Sequence, residues 1–160
     1  GETPAQIAAG LAGYQASGMR QNIYEQDGYH IYADCYNASP DAMEATLAVL
    51  GTMAPAGRRI AVLGSMLELG DYAEEGHRRA GRAAAQYADA LYAYGPDADA
   101  MVAGAKEKGM DRAWAFTDQA ALVAALRQDA KKGDALLFKG SRGMRMEQAL
   151  RLFLGEDVEE

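Results

Sequence analysis

Three short segments of this 160-residue chain combine acids, hydroxyls, amides and cations closely enough to do chemistry. They read DCYNASPD at 34–41, GSMLELGDYAEEGH at 64–77 and FKGSRG at 138–143. Each begins where a strand-like apolar run ends, which is where ligand-binding loops start in α/β proteins. In the first segment, Ser39 and Pro40 are typical of a helix N-terminus, where free amides and the helix dipole favour anions. We therefore expect a ligand site built from these loops.

The first segment allows both a functional and a purely structural interpretation. Asp34 could accept hydrogen bonds from ribose hydroxyls, while Tyr36 and Asn37 could face a ligand. Alternatively, Asp34 and Ser39 tie down a turn, and Asn37 relieves a left-handed backbone position. The spacing alone slightly favours the structural interpretation.

The second segment is glycine-containing but acidic. Gly64 ends a strand, yet the G-x-G-x-x-G fingerprint of dinucleotide-binding turns is missing. Glu68 and Asp71 make the loop a poor cradle for phosphate and a better receptor for an ammonium or amide group. His77, which has acidic and basic neighbours, is predicted to be a solvated helix residue.

The third segment combines two cations and a hydroxyl on a flexible turn. Lys139 ends an apolar strand, and glycines flank Ser141 and Arg142. This set could grip a carboxylate or a phosphate. The structural alternative is a salt-bridged lysine followed by an arginine at a helix entry. The position of Lys139 at the ligand edge favours the functional interpretation.

Composition excludes several classes of protein. The net charge of −7 argues against nucleic-acid binding and against an anionic membrane surface. No apolar run approaches the roughly 20 residues of a membrane span. Cys35 is the only cysteine, so no internal disulfide can form, which fits a reducing compartment. Strand alternation turns His30 away from Cys35, so a small buried role is expected for it. P-loop, zinc-cluster and nucleophile-elbow motifs are absent from the sequence. We expect a soluble, cytoplasmic protein.

The elements that must position the three segments alternate between strand and helix. The Asp-Gly pair at 27–28 predicts a hairpin. Four further strands are expected at 58–64, 88–95, 113–118 and 134–140. Helices are expected at 40–53, 72–88, 97–108, 119–133 (closed by Gly133) and 144–155. The pattern predicts a Rossmann-like three-layer α/β domain of about six strands, mostly parallel, with one antiparallel strand from the N-terminal hairpin.

The three segments together resemble one family. DCYNASPDAM is similar to the Asp-Ser-Tyr-Asn-Ala-Asn-Pro-Asp-Ser-Met stretch of the Mur ligase family, in its branch that adds D-alanyl-D-alanine. IAVLGSMLELG, followed by a histidine and a glycine, resembles the Gly-Asp-Met-Leu-Glu-Leu-Gly loop, and LFKGSRGMRME resembles the closing Lys-Gly-Ser-Arg segment. Order and spacing agree over residues 20–154. The chain departs from the pattern at four positions: Cys35, Ser39, Ala42 and Ser65.

The resemblance implies an ATP- and magnesium-dependent amide ligase of peptidoglycan synthesis with three domains. It implies that residues 1–17 are the terminal helix of a central ATPase domain, 18–155 the C-terminal domain and 156–160 an acidic tail. ATP and Mg²⁺ would be bound mainly by the central domain, so the fragment alone would be inactive. Its partners would be UDP-N-acetylmuramoyl-tripeptide, D-alanyl-D-alanine, ATP and its own central and N-terminal domains. The protein is expected to be a monomer.

On the nucleotide side, the resemblance assigns Asp34 to the ATP ribose and Arg20 to the nucleotide at the domain junction. Tyr36 and Asn37 would approach the phosphates and the reacting centre, with a contributory catalytic role.

On the dipeptide side, position in the family pattern assigns Glu68 and its loop to D-alanyl-D-alanine. Lys139, Ser141 and Arg142 would hold the dipeptide carboxylate. Two alternatives stay open: a sister Mur ligase with a different amino-acid substrate, and a standalone nucleotide- or NAD-binding α/β module.

Overall fold

The computed structural model describes residues 22–35 and 38–155. The predicted first helix at 1–17, the domain boundary after it and the acidic tail at 156–160 lie outside the described residues.

A single six-stranded sheet forms the middle layer of the domain. Its order is β1-β2-β6-β3-β4-β5, and β1 alone runs antiparallel to its neighbour. This confirms the predicted mixed sheet. The strands are β1 (Asn22–Gln26), β2 (Tyr29–Asp34), β3 (Arg59–Gly64), β4 (Ala90–Tyr94), β5 (Ala113–Phe116) and β6 (Ala135–Lys139).

Five helices cover the two faces of the sheet. They are α1 (Pro40–Thr52), α2 (Ala73–Tyr87), α3 (Ala98–Glu107), α4 (Gln119–Asp129) and α5 (Met146–Phe153). Helices α1 to α3 pack on one face and α4 and α5 on the other. Alternation along the buried strands supplies both cores: in β3, Ala61 and Leu63 join the first and Ile60 and Val62 the second.

Local sequence signals explain where several elements begin. The hairpin turns at Asp27 and Gly28, whose φ angles of 55° and 89° match the turn that an Asp-Gly pair favours. The Ser39 hydroxyl accepts a hydrogen bond from the Ala42 amide and caps α1. Asp118 caps α4 in the same way, through the Ala121 amide. These interactions fix the first turns of α1 and α4.

The prediction that Gly133 closes the fourth helix was wrong. Helix α4 ends at Asp129, and Gly133 (φ 98°) belongs to the turn that enters β6. There its amide donates to Gly28 O and its carbonyl accepts from the Gly57 amide. Contacts with two distant loops, which the local sequence does not reveal, determine the conformation of this glycine.

The described residues include no helix that is long and apolar enough to cross a bilayer.

Candidate functional site at the carboxyl edge of the sheet

The register of the parallel strands brings the three predicted loops to one edge. Asp34 is paired with Lys139, and Lys139 is also paired with Leu63 on the other side of β6. Gly64 is paired with Tyr94, where β4 ends. The carboxyl ends of β2, β6, β3 and β4 therefore lie side by side, and the loops that follow them share the crevice where open α/β sheets bind ligands.

Asp34 and Lys139 form a buried ion pair at the centre of this edge. Lys139 Nζ lies 2.7 Å from Asp34 Oδ2, and the two residues are 1% and 5% exposed. Thr46, on α1, donates from its hydroxyl to the same Oδ2 at 3.2 Å. Burying two charges is tolerated because they are paired and hydrogen-bonded. The family resemblance assigns Asp34 and Lys139 to two different ligands, whereas the fold places them in direct contact.

Tyr32 lies two residues before Asp34 on the same face of β2 and is fully buried. Among the described residues, its hydroxyl has no hydrogen-bond partner of ordinary geometry. Burial, and next the negative charge of Asp34, raise the pKa of Tyr32 to about 12. The phenol therefore remains neutral at physiological pH, beneath the ion pair.

Two serine hydroxyls tie the other loops together. Ser141 accepts a hydrogen bond from the Leu67 amide at 2.9 Å, which joins the loop after β6 to the loop after β3. Ser65 is fully buried; its hydroxyl accepts from the Asp97 amide and donates to Tyr94 O. Ser65 thus ties the loop after β3 to the loop after β4. The residue that replaces the family's Asp at this position has a structural role here.

His77 is not the solvated residue that the sequence predicted. It is fully buried, and its Nε2 accepts a hydrogen bond from the Met66 amide at 2.8 Å. Its Nδ1 lies 2.6 Å from Ala73 O, so this nitrogen carries the proton and the ring is neutral. The Asp97 carboxylate lies 3.7 Å from the Nε2 that already serves as an acceptor. The charged neighbours of His77 in the sequence suggest an exposed helix face, but its ring points to the loop after β3 rather than to solvent.

Among the predicted site residues that the structure describes, Glu68 and Arg142 lie open to solvent. Glu68 has a left-handed backbone (φ 67°), which is unusual for a residue other than glycine, asparagine or aspartate. Such strained positions are common where a loop must present a side chain to a ligand. A Cβ on Gly143 would come within 2.8 Å of Leu67 Cδ1, so the turn after β6 packs closely on the Glu68 loop.

Three predicted site residues, Arg20, Tyr36 and Asn37, lie outside the described residues. Sequence reasoning missed two that are inside them: Thr46 and Ser65. Thr46 lies on the inward face of α1 with Met43, Leu47 and Leu50. A hydroxyl at a core position needs a hydrogen-bond partner, and this was the feature of the sequence that could have indicated a role for Thr46.

Cys35 is half-buried, and its thiol lies 3.4 Å from Phe138 O. Burial, followed by the charges of Glu147 and Asp34, raises its pKa to about 12. The thiol is therefore protonated at neutral pH, which fits a structural role for Cys35.

Within residues 22–35 and 38–155, no group of three or more His, Cys, Asp or Glu side chains is arranged to hold a metal ion.

Fold and site together define a Rossmann-like α/β domain with polar side chains gathered at the carboxyl edge of its sheet. Residues 19–142 match the family model described as Mur ligase, glutamate ligase domain. The chain belongs to the Mur ligase family.

The relatives agree on one branch of this family. Over 154 residues the chain is 36% identical to the UDP-N-acetylmuramoyl-tripeptide--D-alanyl-D-alanine ligase of Bacillus subtilis, covering 94% of this chain and 34% of that protein. The enzyme of the same name from Synechocystis is 35% identical, with 95% and 33% covered. The crystal structure of the MurF ligase from Thermotoga maritima in complex with ADP superposes with a TM-score of 0.72 at 31% identity, covering 86% of this chain and 30% of that one. The chain thus spans about a third of the length of these relatives.

Proposed function

We propose that this chain is the C-terminal domain of an ATP-dependent ligase that adds D-alanyl-D-alanine to UDP-N-acetylmuramoyl-tripeptide. The observation that carries the proposal is the match to ligases of that name over 94% of the chain and only 34% of the B. subtilis relative. In the complete protein, ATP would activate the tripeptide carboxylate by phosphorylation, and the dipeptide amine would then form the amide.

The nucleotide side of the proposal centres on Asp34. Its carboxylate forms an ion pair with Lys139, and the described contacts of that carboxylate fall on Oδ2 alone. Oδ1 is therefore an acceptor that a ribose hydroxyl could use, which is the role proposed for Asp34 in binding the nucleotide. Arg20, Tyr36 and Asn37 are proposed to assist at the nucleotide and at the reacting centre. Mg²⁺ is assigned to the central domain, as the family resemblance implies.

The dipeptide side of the proposal involves the exposed loops. Glu68 carries an acceptor for the dipeptide ammonium, and Arg142 carries donors for its carboxylate. Ser141 acts on the same subsite by holding the Glu68 loop through the Leu67 amide. Lys139 was assigned to the dipeptide carboxylate as well, but its ion pair with Asp34 makes this the least supported member of the set.

The proposed contribution of the domain to the reaction is closure. Folding over the central domain would bring the amine and the activated carboxylate together and exclude water from the reacting centre. The chain by itself is proposed to be inactive. We further propose that the complete protein works as a cytoplasmic monomer in cell-wall synthesis, and through this in cell shape and division, without binding nucleic acid or membrane.

The proposal is tested by assaying the full-length protein for ATP-dependent amide formation with a panel of amine donors. UDP-N-acetylmuramoyl-tripeptide and its precursors with shorter peptides serve as acceptors, and D-alanyl-D-alanine is compared with single amino acids, including D-glutamate and meso-diaminopimelate. We expect product with D-alanyl-D-alanine only, together with stoichiometric ADP. Product with a single amino acid on a shorter acceptor peptide would identify a sister ligase instead, and a folded protein that ligates no donor would exclude the proposed function.

A further inference from the structure

Lys139 and Thr46 both bind the same oxygen of the Asp34 carboxylate, Oδ2. Lys139 Nζ approaches Oδ2 at 2.7 Å, and the Thr46 hydroxyl donates to the same atom at 3.2 Å. The donors come from two separate elements: β6, the strand paired with β2, and α1, a helix that packs on one face of the sheet. A carboxylate held at one oxygen by two separate elements cannot rotate, so the direction of its other oxygen is fixed.

The pair also determines which ligand chemistry the edge can accept. Lys139 is 1% exposed, and the Asp34 carboxylate lies against its ammonium. An incoming carboxylate would have to approach a lysine whose charge is already matched by Asp34, and it would be repelled by that acid. A ligand hydroxyl meets no such repulsion, because it donates to the remaining oxygen.

We propose that Lys139 and Thr46 are positioning residues that orient Asp34 towards a hydroxyl-bearing ligand, and that Lys139 does not grip the dipeptide carboxylate. The inference rests on the proposed function, in which that ligand is the ribose of ATP. It assigns Thr46 a role that no sequence motif indicated, and it moves Lys139 from the dipeptide subsite to the nucleotide subsite.

The buried surroundings of the pair support the assignment. Tyr32 packs beneath it with a hydroxyl that lacks a hydrogen-bond partner among the described residues. Met43 and Leu47 flank Thr46 on α1, and both are fully buried. Because these neighbours are buried and tightly placed, a small displacement of Asp34 would change the position of the oxygen that faces the ligand.

The test compares Thr46→Val with Thr46→Ser in the full-length protein. Steady-state ligation is measured while ATP and D-alanyl-D-alanine are varied separately. Thr46→Val removes the donor with little change in shape, and we expect the KM for ATP to rise about three- to tenfold, the range of one lost hydrogen bond. The dipeptide KM should stay unchanged, and Thr46→Ser should restore the ATP value. Thr52→Val is the matched control, because its hydroxyl bonds to Val49 O at the far end of the same helix.

Lys139→Met provides the second arm. We expect it to raise the KM for ATP at least tenfold and to leave the dipeptide KM within twofold of wild type. An increase in the dipeptide KM alone would restore Lys139 to the dipeptide subsite and overturn the inference. If Lys139→Met does not fold, the threonine variants decide: Thr46→Val kinetics equal to those of Thr52→Val would also overturn it. A wild-type protein that ligates nothing would instead refute the proposed function on which the inference rests.

Discussion

Glu68 combines an exposed carboxylate with a backbone conformation that costs free energy. Its φ of 67° places an L side chain in the left-handed region, at a cost of about 1–2 kcal/mol. The side chain forms no ion pair within 22–35 and 38–155 that would offset this cost. A strained backbone at the carboxyl edge of the sheet is consistent with a ligand-binding role for the Glu68 side chain.

Glu68→Gly and Glu68→Ala separate the strain from the side chain. Glycine relieves the left-handed strain but makes the unfolded chain more flexible, so we expect a net stabilisation of up to about 1 kcal/mol. Alanine keeps the strain and should give no such gain. Both variants lose the carboxylate and should raise the dipeptide KM of the full-length protein to a similar extent. Urea unfolding and dipeptide kinetics would check this; an unchanged dipeptide KM in both would remove Glu68 from the site.

Ionisation of the Tyr32 phenol should lower the stability of the fold at alkaline pH. Its pKa rises from 10.0 to about 12 on folding, chiefly through burial. Above pH 10 the unfolded chain releases the phenolic proton while the folded chain keeps it, so the unfolding free energy falls as pH rises towards 12. Tyr32 accounts for roughly 2 kcal/mol of this fall, and the stability that is lost at high pH is fully present below pH 10. Denaturant unfolding of wild type and Tyr32→Phe at pH 9, 10 and 11 would test it: the stability difference between them should shift in favour of the variant as pH rises. A difference that is independent of pH would contradict the account.

At the scale of elements, α2 and α3 approach each other through glycines. A Cβ on Gly81 would lie 1.9 Å from Met101 O, and a Cβ on Gly104 would lie 2.1 Å from Arg78 O. Backbone therefore packs on backbone, with no flexible side chain to move aside. This contact holds the N-terminal half of α2, and with it His77, against the loop after β3.

Gly81→Ala should push the two helices apart. We expect a destabilisation of about 1–3 kcal/mol, or more where the backbone cannot shift, despite the better helix propensity of alanine. Gly76→Ala on the same helix is the matched control, because its Cβ would meet the Leu69, Tyr72 and Pro40 side chains instead of backbone. Thermal or urea unfolding of both variants is sufficient. Equal effects would show that the α2–α3 contact is looser than described.

Ser141 and His77 each hold one amide of the loop after β3. Ser141→Ala removes the acceptor of the Leu67 amide and should cost about 1 kcal/mol, while His77 still holds the Met66 amide. Native-state hydrogen exchange should then speed up at Leu67 but not at Met66. His77→Phe should give the reverse pattern. If either variant increased the exchange rates of both amides equally, the loop would open as one unit, and Ser141 and His77 would not hold it independently.

At the scale of the whole molecule, the periodicity of the sequence predicted the layers and the sheet edge correctly. Strand alternation in β3, the Asp-Gly hairpin and the Ser39 cap act over a few residues, so they can be read from the local sequence. The Asp34–Lys139 pair joins residues 105 positions apart, and His77 is buried because the Met66 amide needs an acceptor. Gly133 was misplaced for the same reason. Contacts between distant segments are set by register and packing, which no short motif encodes.

We propose that this chain is the closing domain of a D-alanyl-D-alanine ligase and that it contributes to the reaction only together with the rest of the protein. The most direct measurement compares ligation of D-alanyl-D-alanine to UDP-N-acetylmuramoyl-tripeptide by three proteins: the full-length protein, the protein lacking 22–155, and the 160-residue chain alone. We expect ATP-dependent product from the full-length protein and none from either part. Product from the isolated chain, or an undiminished rate from the truncated protein, would contradict it.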